Sequence, residues 1–254
     1  MPLSDGLYYA YSNGGLASQP PIVLIHGAGS DHLVWPAQLR RLRGWNVITV
    51  DLPGHGRSDG TALQSIEAYA NSLLAFFDRL KIYQVILAGH SMGGAIAQTL
   101  ARLYPQRVAG LALLACGANL SGAIALSELL CNPVTRSLAY QQLENNLFAR
   151  GADVNLVNRT LQALKKVRTG VLYADWLACA RFESSQWVSE INVPVWVAVG
   201  AQDRFTPPGA SIFLAEKMNH ARLQVIERAG HMVLLEQPEK TARTLAGWLD
   251  ELFR

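Results

Sequence analysis

Apolar and polar positions alternate along this chain in blocks rather than residue by residue. The short runs Ile22–Ile25, Val47–Val50, 85–88, 108–115, 195–199 and 223–226 are mostly apolar without a period of two, as in strands buried on both faces. Leu7–Ser12 reads as an earlier strand, closed by the turn Asn13-Gly14-Gly15. Between the runs the period changes. Residues 65–80 carry Ile66, Tyr69, Leu73, Phe76, Phe77 and Leu80 on one helical face, and 35–42, 95–101, 211–218 and 239–253 also read as helices. Strands alternating with helices predict an α/β fold, a mostly parallel sheet covered on both faces.

Residues 117–188 break that rhythm, because no buried strand falls among them. Asp153 reads as the N-cap of a helix through 167, with 171–182 a second helix and 121–130 and 137–148 two less distinct ones. Two arrangements fit. The helices belong to the main layers, or they form a cap over the carboxyl edge of the sheet, inserted after the strand that follows the 95–101 helix. The second is the expectation: a core of 1–116 and 189–254 and a cap of 117–188.

Composition narrows the classes of function. The chain has 254 residues, half of them apolar and 16% charged, enough for a sizeable core and unlike a disordered chain. A net charge of +3, with no basic run, excludes an electrostatic nucleic-acid binder. No apolar stretch is long enough to span a membrane, and the first fifteen residues lack the basic and apolar regions of a signal peptide. Cys116, Cys131 and Cys179 are an odd, scattered set without metal-ligand spacing, which points to a reducing, cytoplasmic setting and to no metal. Nothing in the sequence speaks to oligomeric state.

In open parallel sheets, sites form beyond the carboxyl ends of strands. The chain brings its chemistry to those places. Gly89-His90-Ser91-Met92-Gly93-Gly94 follows an apolar run and precedes a helix, so Ser91 sits at a sharp corner flanked by residues without Cβ atoms. A serine hydroxyl needs a base, and the base needs an orienting acid. His231, in the loop after the last strand run, is the candidate base. Asp203, directly after 195–199, is the candidate acid. Asp175 competes by chain order but falls within a predicted helix, and Glu227 is too near His231 along the chain. His26 and His55 lie in turn-rich loops and read as loop-holding, His90 should point away from Ser91, and His32 and His220 have no supporting context. The backbone N–H groups of Met92 and Ala28 are the candidate oxyanion donors.

Five motifs carry a resemblance over nearly the whole chain outside the cap: His26-Gly27-Ala28-Gly29, Asp51-Leu52-Pro53-Gly54-His55-Gly56-Arg57-Ser58, the Ser91 corner, Gly200-Ala201-Gln202-Asp203, and Gly230-His231-Met232 with Glu236-Gln237-Pro238-Glu239. Together they resemble the α/β-hydrolase superfamily, in its branch of small capped esterases. The resemblance implies a three-layer α/β-hydrolase fold with eight strands, a Ser91-His231-Asp203 triad, no cofactor and a small-molecule ester substrate cleaved through an acyl-serine intermediate. Thioesterases, perhydrolases and carbon–carbon hydrolases share this layout, and some proteins of the fold are receptors with little turnover. The amino terminus is short for the full sheet, so the first strand is expected to be missing or abbreviated. Leu126, Tyr140 and Trp176 are the expected apolar pocket residues, while Arg136 and Arg181 read as solvated surface charge.

Overall fold

A computed structural model describes residues 3–4 and 6–253. The expectations for the amino-terminal signal region and for the ends of the core therefore touch Met1, Pro2, Asp5 and Arg254, which lie outside the described residues. The strands are β1 (Leu3–Ser4), β2 (Leu7–Ser12), β3 (Ile22–Ile25), β4 (Val47–Val50), β5 (Val85–His90), β6 (Val108–Leu114), β7 (Val195–Gly200) and β8 (Ala221–Ile226). They form one eight-stranded sheet in the order β1-β2-β4-β3-β5-β6-β7-β8. The β1–β2 and β2–β4 pairings are antiparallel, and every pairing from β4 to β8 is parallel. The first strand is thus present, and among the described residues it comprises Leu3 and Ser4.

Successive residues of each central strand point to opposite faces and feed two separate cores. Val23, Ile25, Ile48, Val50, Leu111 and Leu113 pack with α2 (Ile66–Arg79) and α3 (Met92–Leu103). Ile22, Leu24, Val47, Ile86, Ala112 and Leu114 pack with α1 (Ala37–Arg40) and α10 (Pro238–Phe253). Ser65 caps α2 by accepting the Ala68 N–H at 3.2 Å. The helix expected over 35–42 is instead a 3-10 turn at His32–Val34 followed by the four-residue α1. Pro36 is the reason: the residue before a proline is pushed to extended backbone, and Trp35 has φ −77° and ψ 118°.

Between β6 and β7, adjacent in the sheet, the chain forms α4 (Ile124–Cys131), α5 (Arg136–Leu147), α6 (Val154–Lys166) and α7 (Thr169–Ala180). The two ends of this helical segment are stitched together by a bridge between Asn119 and Glu183 and by the Ser184 N–H donating to Ala118 O at 2.7 Å. α8 (Pro208–Lys217) joins β7 to β8, and α9 (Val233–Glu236) lies between β8 and α10. Among the described residues no helix is long and apolar enough to cross a membrane.

Candidate active site

β5 ends and α3 begins at a single residue, Ser91, whose backbone is held at φ 53° and ψ −118°. Such a conformation costs a non-glycine residue about 1–3 kcal/mol and persists only where its surroundings enforce it. They do so here through close backbone packing. A Cβ on Gly89 would collide with the carbonyl of Gly93, and one on Gly93 would collide with the carbonyl of Ile25 in β3. The Ser91 N–H donates to Leu114 O at 2.9 Å, and its carbonyl accepts from Gly94 N at 2.8 Å, starting the helix.

The loop after β3 lies directly on this corner, since a Cβ on Gly27 would stand 3.2 Å from that of Ser91. Ala28 follows it, and its N–H and that of Met92 are not used by the turn and loop hydrogen bonds among the described residues.

His231 is delivered by the loop after β8. His90 Nε2–H donates to the His231 carbonyl at 3.0 Å, so His90 secures the loop from behind. Burial, with His231 nearby, lowers His90 to about 3, leaving it neutral. The Gly230 N–H donates to Glu236 Oε1 at 2.8 Å, and the other carboxylate oxygen takes the Ala149 N–H at 2.8 Å. One side chain therefore joins this loop to the exit of α5. Burial raises the Glu236 carboxyl above its ordinary value, only partly offset by those two N–H groups.

His231 Nδ1 lies 3.0 Å from Asp203 Oδ2. Because a carboxylate only accepts, Nδ1 carries the proton and Nε2 is left with its lone pair. Asp203 follows β7 and is nearly fully buried. Its Oδ1 accepts the N–H groups of Phe205 and Thr206 at 2.9 and 2.8 Å, and its Oδ2 accepts the Thr206 hydroxyl at 2.9 Å. Burial alone would raise this carboxyl, but His231 and the donors outweigh it and hold it below its ordinary value.

Ser91, His231 and Ala28 line one cavity of about 990 Å³. Its far wall comes from the helical segment, with Leu143, Leu147, Leu156, Leu164 and Val167. Trp176 lines it too, its ring 5.5 Å from that of Phe205, which in turn lies 4.9 Å from the ring of His231. Leu126 and Tyr140 do not line it. Leu126 is buried within the helical core, and Tyr140 stands one turn before Leu143 on α5, beyond the cavity, with Lys165 over its ring.

Around this centre runs a buried histidine–carboxylate framework to which no local sequence motif points. Asp175 of α7 is fully buried. Its Oδ2 accepts the Gly29 N–H at 2.8 Å and His55 Nε2–H at 2.8 Å, and its Oδ1 accepts the Tyr69 hydroxyl at 2.6 Å. His55 Nδ1 lies 3.0 Å from the Pro53 carbonyl, so both ring nitrogens face acceptors, an arrangement that favours the protonated ring. Burial alone would lower His55, but Asp175 outweighs it and the net shift is upward. His26 packs beside it, the ring centroids 4.9 Å apart and the planes tilted by 54°, and is shifted in the opposite direction. It faces the Gly27 carbonyl with Nδ1 and accepts the Leu52 N–H on Nε2, and burial followed by the charge on His55 lowers it to about 4. The loop-holding reading of His26 and His55 fits these contacts.

His32, for which the sequence offered no context, is paired with Asp51 at 2.9 Å. With Asp31 these residues place three possible cation ligands within 4.8 Å. Their atoms are already engaged: Asp51 takes N–H groups from His32 and Arg57, and Asp31 takes that of Leu33.

Known proteins place this architecture. The chain is 32% identical over 255 residues to a dihydrolipoyllysine-residue acetyltransferase component of an acetoin cleaving system from Pseudomonas putida, across 90% of this chain but only 63% of that protein. It is 30% identical over 247 residues to a pimeloyl-[acyl-carrier protein] methyl ester esterase from Neisseria meningitidis, covering 91% of this chain and 78% of the relative. A thermophilic esterase from Thermogutta terrifontis superposes with a TM-score of 0.88 at 25% identity, covering 98% of this chain and 94% of that one. The model of the alpha/beta hydrolase family matches residues 22–244, and the chain belongs to that family.

Proposed function

We propose that this protein hydrolyses small carboxylic esters through an acyl-Ser91 intermediate, with residues 117–188 acting as the cap that shapes the substrate cavity. The observation that carries the reading is the His231–Asp203 pair, which leaves Nε2 as a lone-pair base in the cavity that Ser91 enters under backbone strain. In this mechanism Ser91 Oγ attacks the ester carbonyl carbon while His231 Nε2 takes the hydroxyl proton. The carbonyl oxygen becomes an oxyanion at the N–H groups of Ala28 and Met92, each worth about 2.7–4 kcal/mol in such sites. The carbon–alkoxy bond then breaks, and the alcohol leaves with the proton held on His231. Water adds to the acyl-serine by the same relay, releasing the acid and restoring Ser91. Asp203 keeps the imidazole in the required tautomer and stabilises its charged form. The methyl ester esterase among the relatives and the esterase among the solved structures accord with this reading.

The test is hydrolysis of a p-nitrophenyl ester panel of graded acyl length together with labelling by a fluorophosphonate. Both should be lost in Ser91→Ala. Labelling retained in that variant would overturn the assignment, as would tight ligand binding without turnover across the panel.

A further inference from the structure

The cavity that Ser91 enters has apolar side chains from α5 and α7 (Leu143, Leu147, Val171 and Trp176) and cations along and just beyond α6. Arg159 and Lys166 of α6 and Arg168 just beyond it all contribute to the lining. On α6 Arg159 and Lys166 share one stripe with Leu156 and Ala163, so alternate turns of the same helix face offer an apolar wall and a positive charge. None of the three forms an ion pair with a carboxylate among the described residues; Arg168 instead donates to the Gly54 carbonyl at 3.0 Å, which anchors its guanidinium beside the cavity. The one acidic residue in the lining, Asp31, spends an oxygen on the Leu33 N–H. Arg159 also faces a smaller neighbouring cleft, lined in addition by Arg150 and Arg228 from two other loops, and Leu156 and Leu235 form the wall common to both spaces. The two carboxylates there are already engaged, Glu236 by two backbone N–H groups and Asp153 by the Asn155 N–H.

We propose that this rim is an anion subsite: the preferred substrates are esters whose chain ends, away from the scissile bond, in a carboxylate or phosphate held by Arg159, Lys166 and Arg168. This rests on the ester-hydrolase reading and gives it a substrate class. The apolar wall between rim and Ser91 would take the methylene chain, and the cations its charged end. Exposed pairs of this kind contribute about two- to fivefold each and are screened by salt. Together they should give about a tenfold preference at low ionic strength.

The experiment uses eight-carbon methyl esters that differ only at the far end: carboxylate (monomethyl suberate), phosphate, hydroxyl and methyl. Hydrolysis is followed by the base a pH-stat adds to neutralise the released proton, and binding of suberate against 1,8-octanediol by calorimetry. The anionic esters should exceed the hydroxyl ester about tenfold in kcat/KM. That ratio should collapse in 1 M salt and in Arg159→Gln/Lys166→Gln, but survive Arg79→Gln at the end of α2, which leads into the start of β5 rather than its Ser91 end. The carboxylate and phosphate arms show which anion is favoured. Equal rates for charged and hydroxyl esters, or a preference that persists in the double variant, would overturn the subsite while leaving the hydrolase reading intact. Absence of turnover of every ester with Ser91 unlabelled would instead defeat the hydrolase reading. Calorimetry would then still decide the subsite, since suberate binding no tighter than octanediol, or unchanged in the double variant, would refute it.

Discussion

Replacing Asp175 with asparagine tests whether a residue of the helical segment governs chemistry at Ser91. The carboxylate is fully buried and accepts from Gly29, His55 and Tyr69. Asparagine has nearly the same shape but only one acceptor oxygen. With that oxygen toward Gly29, its amide group faces the Tyr69 hydroxyl, which already accepts the Leu63 N–H and loses the acceptor for its own proton. Turned over, the amide faces the Gly29 N–H. Either orientation strands a buried donor, and the charge on His55 loses its partner. Hydrogen bonds to charged groups contribute about 1.5–3 kcal/mol each, and removing one member of a buried pair costs about 3–5 kcal/mol when the other stays charged. His55 can shed a proton, which limits the loss, so we expect a destabilisation of about 2–4 kcal/mol in urea unfolding.

The catalytic effect follows from position. Gly29 adjoins Ala28, the proposed oxyanion donor, while Gly27 keeps the other side of the loop packed on the Ser91 corner. A complete loss of one such donor lowers kcat by about 10²–10³, so a displaced one should lower it about 10- to 100-fold with KM little changed. The pH dependence has a definite sign. His55 titrates above its ordinary value of 6.5 in the folded protein, so the pair contributes fully below that pH and fades as pH rises through the raised value. The stability gap between wild type and Asp175→Asn should be widest below pH 6.5 and narrow on the alkaline side. A variant within about 0.5 kcal/mol of wild type with kcat within about twofold would refute the reasoning, as would a gap that widens with pH.

Gly93→Ala should lose about 3 kcal/mol or more, because the new methyl meets the backbone of the central strand β3 and cannot be relieved by a rotamer change. Gly247→Ala on α10, with open space around it, should instead gain about 0.5–1 kcal/mol; thermal melting of the pair checks both signs. Asp203→Asn should lower kcat by about 10⁴ by favouring the wrong His231 tautomer, read from ester hydrolysis at pH 8. Since Asp203 is held below its ordinary 3.8, its share of stability is present above that pH and lost as pH falls through the depressed value. Acid unfolding of Asp203→Asn should therefore be shallower than that of wild type, and parallel curves would count against the ion pair.

Much of the fold is legible in the sequence because its signals are local. An apolar run bounded by turn residues declares a buried strand, and the glycines around Ser91 declare a corner without reference to any distant residue. Ser91, Asp203 and His231 could be ranked as candidates because each sits where a parallel sheet ends a strand. Even Asp153 was readable as a helix cap, since its partner is the N–H of Asn155, two residues on. Element ends were less legible: β5 runs on to His90 because Gly89 and His90 pair with Leu113 and Leu114 of β6.

What the tertiary structure alone decided is who meets whom across long stretches of chain. His32 looked unremarkable until folding set it against Asp51, and Asp175 passed for a helix residue although its three partners lie 106 to 146 positions away. The cavity wall was chosen in the same way, Leu143 over Tyr140, by how α5 packs against α4 and α6. Hydrophobic periodicity states which face of a helix is buried, but not what it is buried against. A hydrogen bond or charge pair depends on distance in space, and that is settled only when the whole chain has packed.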